Sequence, residues 1–146
     1  MEIFKASPKS EASGHNTIHI AILVDTQAVI AKHNISAANV VYMMDDNGSG
    51  PSPSTGEGSY ELNTHCSPGD QISWKVFAIN GNDSITFKWF RSSTGNVFGN
   101  NPPSGANTEY LATVVTEGSD TYQVGVEIAG DTSYTYSWDP YITSKA

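Results

Sequence analysis

The side chains able to do chemistry fall into a few clusters. Asp45-Asp46-Asn47-Gly48-Ser49-Gly50 places several hard oxygen donors in one flexible stretch, the ligand type calcium prefers. The stretch lacks the spacing and the distal bidentate glutamate of an EF-hand loop, and Asp-Asn-Gly commonly serves as a plain turn. Asp45, Asp46 and Asn47 therefore stand as candidate metal ligands beside that ordinary reading. His15 and His19 are four apart, but His19 falls in a predicted strand, where that spacing does not bring two side chains onto one metal as it does on a helix. The single cysteine, Cys66, is followed by no histidine, which excludes a cupredoxin-type copper site, and its neighbour His65 belongs to the opposite strand face. No Gly-x-Ser-x-Gly elbow is present. Asp45, Asp46, Asp70, Asp83, Asp120 and Asp139 sit at predicted strand ends or turns, where aspartate is expected for its backbone hydrogen bonds. The expectation is a non-catalytic protein without a cofactor.

Binding has more support. Saccharides are recognised by aromatic faces together with planar hydrogen-bonding side chains. Trp89, Phe90 and Arg91 run toward an Asn-rich loop at residues 96–107 that holds Asn100 and Asn101, with Trp138 and Tyr141 elsewhere. These seven are the candidate ligand contacts. The competing assignment is that aromatic residues alternating along strands fill a core. Trp74 and Phe87 are assigned there, whereas Phe90 and Tyr141 fall outside the alternating faces and stay open.

The elements that must position these residues are strands. Residues 71–79 and 84–90 each alternate, and Asn80-Gly81-Asn82-Asp83 between them predicts a β-hairpin. Residues 17–24 are apolar on both faces, the pattern of a central strand, and Asp25-Thr26 then offers an N-cap to a short helix over residues 27–33. Further strands are predicted at residues 39–44, 60–65, 111–116, 122–128 and 134–138, with long Gly/Pro/Ser- and Asn-rich loops at 45–58 and 92–107. The short turns at residues 117–120 and 129–131 predict that the last strands are antiparallel neighbours. The fold class expected is all-β: a single-domain antiparallel β-sandwich, Greek-key-like, of seven or eight strands, with one short helix after the first strand. It occupies residues 17–142, between a flexible N-terminal segment 1–16 and a tail 143–146.

Composition narrows the partners. Seven basic against fifteen acidic residues give a formal charge of -8, and Arg91 is the sole arginine, so nucleic acid is excluded as a partner. No apolar run approaches a membrane span, no apolar segment of a secretory signal follows Met1, and one cysteine suits a reducing compartment; a cytoplasmic protein without membrane contact is expected.

Three segments, taken in order, resemble a known family. Ile20-Ala21-Ile22-Leu23-Val24-Asp25-Thr26 before a short helix, Ser67-Pro68-Gly69-Asp70-Gln71-Ile72-Ser73-Trp74, and Tyr136-Ser137-Trp138-Asp139-Pro140-Tyr141-Ile142 are similar to the bacterial AidA/PixA inclusion-body proteins. The resemblance implies an abundant cytoplasmic protein, in some members held in crystalline inclusions, with no catalytic residues that define the family. The chain departs from the pattern in lacking a Pro-rich segment after the helix, at residues 33–39, and in having only three methionines. The function expected is that of a self-associating, homo-oligomeric accessory protein. The alternative is a lectin-like module for a glycan or other small ligand, with calcium assistance from the 45–50 loop as an option.

Overall fold

In β1 (Thr17–Val24) the side chains of Ile18, Ile20, Ile22 and Val24 all turn into the protein, and none is more than 4% exposed. Period-2 alternation of β-branched residues produces this, and it sets the inner face of the first of two packed sheets. The computed structural model describes residues 16–35, 39–48, 52–92 and 96–146. After β1 come α1 (Thr26–Lys32), β2 (Val41–Asp45), β3 (Asn63–Cys66), β4 (Gln71–Ala78), β5 (Ile85–Ser92), β6 (Ser104–Ala106), β7 (Glu109–Thr113), β8 (Gly118–Ile128), β9 (Tyr136–Trp138) and β10 (Tyr141–Ser144). The first sheet has the order β2-β1-β4-β7-β6; the second has β3-β10-β8-β5, with β9 also paired to β8. The all-β sandwich with a short helix after its first strand is borne out.

Both sheets are mixed rather than purely antiparallel. β1 pairs in parallel with β4 over eight residues, from Thr17 opposite Gln71 to Val24 opposite Ala78, and β10 pairs in parallel with β3. A parallel pair needs a long crossover, and the chain between β1 and β4 supplies it by threading α1, β2 and β3. The expected hairpin over residues 71–90 does not form. Both flanks of β4 are taken, by β1 and β7, and the chain passes through residues 79–84 to the other sheet. The polar turn residues are used on the helix instead. Asn80 Oδ1 accepts from the Gln27 backbone N–H at 3.2 Å, and the Asp83 carboxylate accepts from Gln27 Nε2 at 2.8 Å and from the Thr26 hydroxyl. Asp25 caps α1 as expected, accepting from the Ala28 N–H at 3.2 Å. His33 ends the helix in the left-handed region (φ 48°), stacked on Tyr134 with ring centroids 4.3 Å apart. The turn expected at residues 117–120 is not one: residues 118–120 already belong to β8, and the chain crosses between sheets at residues 114–117, so β7 and β8 are not neighbours, whereas β8 and β9 are.

Between the sheets lies Trp74, fully buried, whose Nε1–H donates to the Tyr122 hydroxyl at 3.0 Å across the sandwich. Phe90, Phe98 and Tyr122 meet its ring edge-on. Trp138 Nε1–H points at Met43 Sδ, 3.2 Å away. Residues 96–107 of the expected 92–107 loop are more structured than their composition suggests. Val97 and Phe98 enter the core, and β6 forms a hairpin with β7. The 45–58 segment is pinned by bridges from Met43 to Ser59 and from Thr55 to Asn63, so regular strand resumes only at Asn63. β10 extends to Ser144, inside the segment assigned to the tail. Residues 1–15, most of the segment expected to be flexible, lie outside the described residues. Among the described residues no helix is long and apolar enough to cross a membrane.

Candidate functional site

The outer face of the second sheet carries the arrangement with the most chemical content, and a bulge creates it. In β5 the register against β8 shifts between Phe87 and Trp89. Without the shift Trp89 would follow Ile85 and Phe87 into the core. With it, Phe90 turns inward, packed 4.9 Å from Trp74, and Trp89 and Arg91 turn outward. The indole comes to rest on Gly125 of β8. A Cβ built there would stand 2.5, 2.7 and 2.8 Å from three atoms of the ring, so the ring lies face-on against the glycine backbone. The Arg91 guanidinium covers its other face, with Cζ 4.0 Å from the ring centroid. Such a contact is worth about 0.5–1 kcal/mol at an exposed position and holds a flexible side chain in place.

Polar groups surround this stack. Gln123 is the cross-strand partner of Arg91, and its Nε2 donates to Ser137 Oγ of β9 at 3.4 Å. Lys88 pairs with Glu127 at 3.2 Å. Farther along the same face of β8, Thr121 sits opposite Tyr141 of β10, which is 40% exposed. Tyr141 borders a shallow depression of about 140 Å³ lined by Asn63, Ser119, Thr121 and Thr143. Thr143 Oγ1 donates to Asn63 Oδ1 there at 3.0 Å.

Of the seven ligand contacts expected from sequence, the structure brings Trp89, Arg91 and Tyr141 to one face. Phe90 and Trp138 are core residues, 8% and 5% exposed, because the bulge and the inward phase of β9 place them there. Asn100 and Asn101 are exposed. Asn101 lines a separate groove of about 250 Å³ on the first sheet, with Gln71, Pro102, Ser104 and Leu111. Gln123, Gly125 and Ser137 were not expected at the site. A glycine interrupting an alternating strand marks a close approach of another group, and Gly125 between Val124 and Val126 carried that signal.

The acidic loop does not gather its oxygens around one point. Asp45, 5% exposed, accepts from the Asn47 N–H at 2.9 Å and from the Thr64 hydroxyl at 2.8 Å. Asp46 accepts from the His19 N–H at 2.9 Å and faces His19 Nδ1 at 2.7 Å, and Asn47 Nδ2 donates to the His65 carbonyl at 2.7 Å. Asp46 is tied to β1 and Asp45 and Asn47 to β3, and among the described residues no three His, Cys, Asp or Glu side chains are grouped to hold a metal ion. Glu57 closes this loop, both its oxygens lying 3.2 Å from the Asp45 N–H. Burial of its carboxyl end, and next the hydrogen bond and negative charge of Asp45, push its pKa up to about 7.

Comparison with known proteins assigns the sequence family. A family model described as "Domain of unknown function (DUF8788)" matches residues 16–134. The chain belongs to the DUF8788 family. No curated protein matches it by sequence. Among solved structures, this DUF8788 chain is similar to the inclusion body protein PixA of Burkholderia cenocepacia J2315. The TM-score is 0.73 at 16% identity, over 93% of this chain and 99% of that one. A second similarity, to the cysteine protease inhibitor EhICP2 of Entamoeba histolytica, has a TM-score of 0.28 at 14% identity over 57% of this chain and 84% of that one, and carries no argument. The likeness to PixA expected from the three sequence segments is thus present in the fold.

Proposed function

We propose that the protein is a non-catalytic, cytoplasmic saccharide-binding module whose ligand lies along β8 on the outer face of the second sheet, from Tyr141 to Trp89. The observation that supports this reading is the Gly125–Trp89–Arg91 stack, in which the indole carries the planar, hydrogen-bonding guanidinium on a sheet face beside Gln123, Ser137 and Thr121. From Thr121 to Gly125 the strand advances about 13 Å, a span suited to a short oligosaccharide rather than one sugar. Binding is calcium-independent in this reading, because Asp45, Asp46 and Asn47 are engaged by the chain itself. A glycan array with and without calcium, followed by calorimetric titration of the hits, tests it. Hits unchanged by calcium and lost in Trp89→Ala, with the fold intact by circular dichroism, are expected. A blank array, or hits indifferent to Trp89→Ala, would remove the reading.

A second reading is self-association, the role suggested by the name of the PixA neighbour and favoured by exposed Leu111, 51% accessible, opposite Ser104 of the three-residue edge strand β6. The charge of -8 opposes unspecific clustering at neutral pH, so association here means discrete homo-oligomers through defined contacts. Sedimentation velocity over a wide concentration range decides it. A mass that stays monomeric throughout ends this second reading without touching the first.

A further inference from the structure

We propose that the saccharide recognised on this face carries a carboxylate, as uronic acids do, and that Arg91 is the residue that reads it. The inference rests on the saccharide-binding reading and names the class of ligand for the same site. Four ion pairs occur among the described residues, and Arg91 is in none of them. Lys88, the neighbouring cation, is matched by Glu127, so Arg91 is the cation beside Trp89 that has no ion-pair partner among the described residues. The ring rests on Gly125, and the exposed Arg91 guanidinium lies over the ring with Cζ 4.0 Å from the centroid. A guanidinium stacked on an indole keeps its in-plane N–H groups available, and those form the two-pronged contact that fits a carboxylate. Stacking also restrains a side chain that otherwise loses much rotamer freedom on binding.

Charge complementarity selects the occupant. A neutral sugar leaves the cation without a partner, and a long polyanion such as a nucleic acid accumulates repulsion from a protein of net charge -8. A short saccharide brings a carboxylate to Arg91 at short range, while its hydroxyls find Gln123, Ser137 and Thr121 along β8.

The test is titration of the whole protein with hexamers of galacturonate, mannuronate and glucuronate-containing hyaluronan, each beside its methyl ester, which keeps the sugar and removes the charge. At least one acid is expected to bind about tenfold or more tightly than its ester. Arg91→Gln is expected to abolish that difference, Arg91→Lys to restore part of it, and Trp89→Ala to weaken both forms. Acid and ester binding equally, both sensitive to Trp89→Ala, would overturn the carboxylate inference and leave the saccharide reading standing. Failure of all three acids up to millimolar concentration overturns the inference as well. Trp89-dependent array hits among neutral glycans would then keep the broader reading, and a blank array would end both.

Discussion

Trp89 and Gly125 fit each other as plate and floor: a Cβ on residue 125 would lie 2.5 Å from Cε2 of the indole, well inside carbon–carbon contact. The pair joins edge strand β5 to β8 on the side away from the core.

Gly125→Ala is therefore expected to lift or tilt the indole, at a cost of about 1–3 kcal/mol, the range for overpacking a closely filled site. In a Trp89→Ala background the added methyl has room, and most of that cost is expected to vanish. Chemical denaturation of the two single variants and the double variant measures the coupling. Additive effects would show that the ring does not rest on Gly125.

Tyr122 and Trp74 hold the sandwich together from inside. Tyr122→Phe leaves the Trp74 N–H buried without its 3.0 Å acceptor, and a loss of about 1–3 kcal/mol is expected from that unpaired donor alone. The same change removes a hydroxyl whose ionisation burial already drives upward. Urea unfolding followed by tryptophan fluorescence checks it. An unchanged midpoint would mean that the indole finds another acceptor.

How far these relationships were legible in the sequence follows from the range over which each is set. Local rules found β1, the Asp25 cap, α1 and the turn between β8 and β9, because alternation, capping and short turns are decided within a few residues. They failed where the partner is distant. Asn80-Gly81-Asn82-Asp83 has hairpin chemistry, yet its side chains serve Thr26 and Gln27, more than fifty positions earlier. No turn rule sees that both edges of β4 are occupied. The bulge after Phe87 had the largest consequence for the site, since one inserted residue exchanges the faces of Trp89 and Phe90. The departure of Phe90 from the alternating pattern and Gly125 in the partner strand were its two traces. Trp138 was misplaced for a simpler reason: an aromatic at a strand end near Pro140 reads equally well as inward or outward until β9 is docked.

Cys66 is expected to be unreactive in the folded protein. Burial first, and the negative charge of Asp70 second, push its thiol up to about 12, so roughly one in ten thousand is ionised at pH 8. Titration with a chromogenic disulfide should give one thiol promptly in denaturant and a reaction slower by orders of magnitude in buffer. Fast native labelling would show that β3 and β10 part readily around this residue.

Glu57 gives the fold a pH dependence opposite in sign to that of an ordinary ion-paired carboxylate. Its pKa rises from 4.5 to about 7 in the folded chain, so the folded state binds this proton more tightly than the unfolded one. The contribution is fully present below pH 4.5 and is lost as pH climbs through 7. The residue as a whole is exposed, and water screens the carboxylate once formed, so the loss between pH 5 and pH 8 is expected to be about 1 kcal/mol rather than the full value of the shift. Glu57→Gln keeps a neutral group beside the Asp45 N–H and abolishes the titration. Denaturation midpoints of the two proteins at pH 5 and pH 8 isolate the effect of Glu57: the wild type should lose stability relative to the variant as the pH rises. Parallel pH profiles would mean that Asp45 and Glu57 do not share this site in solution.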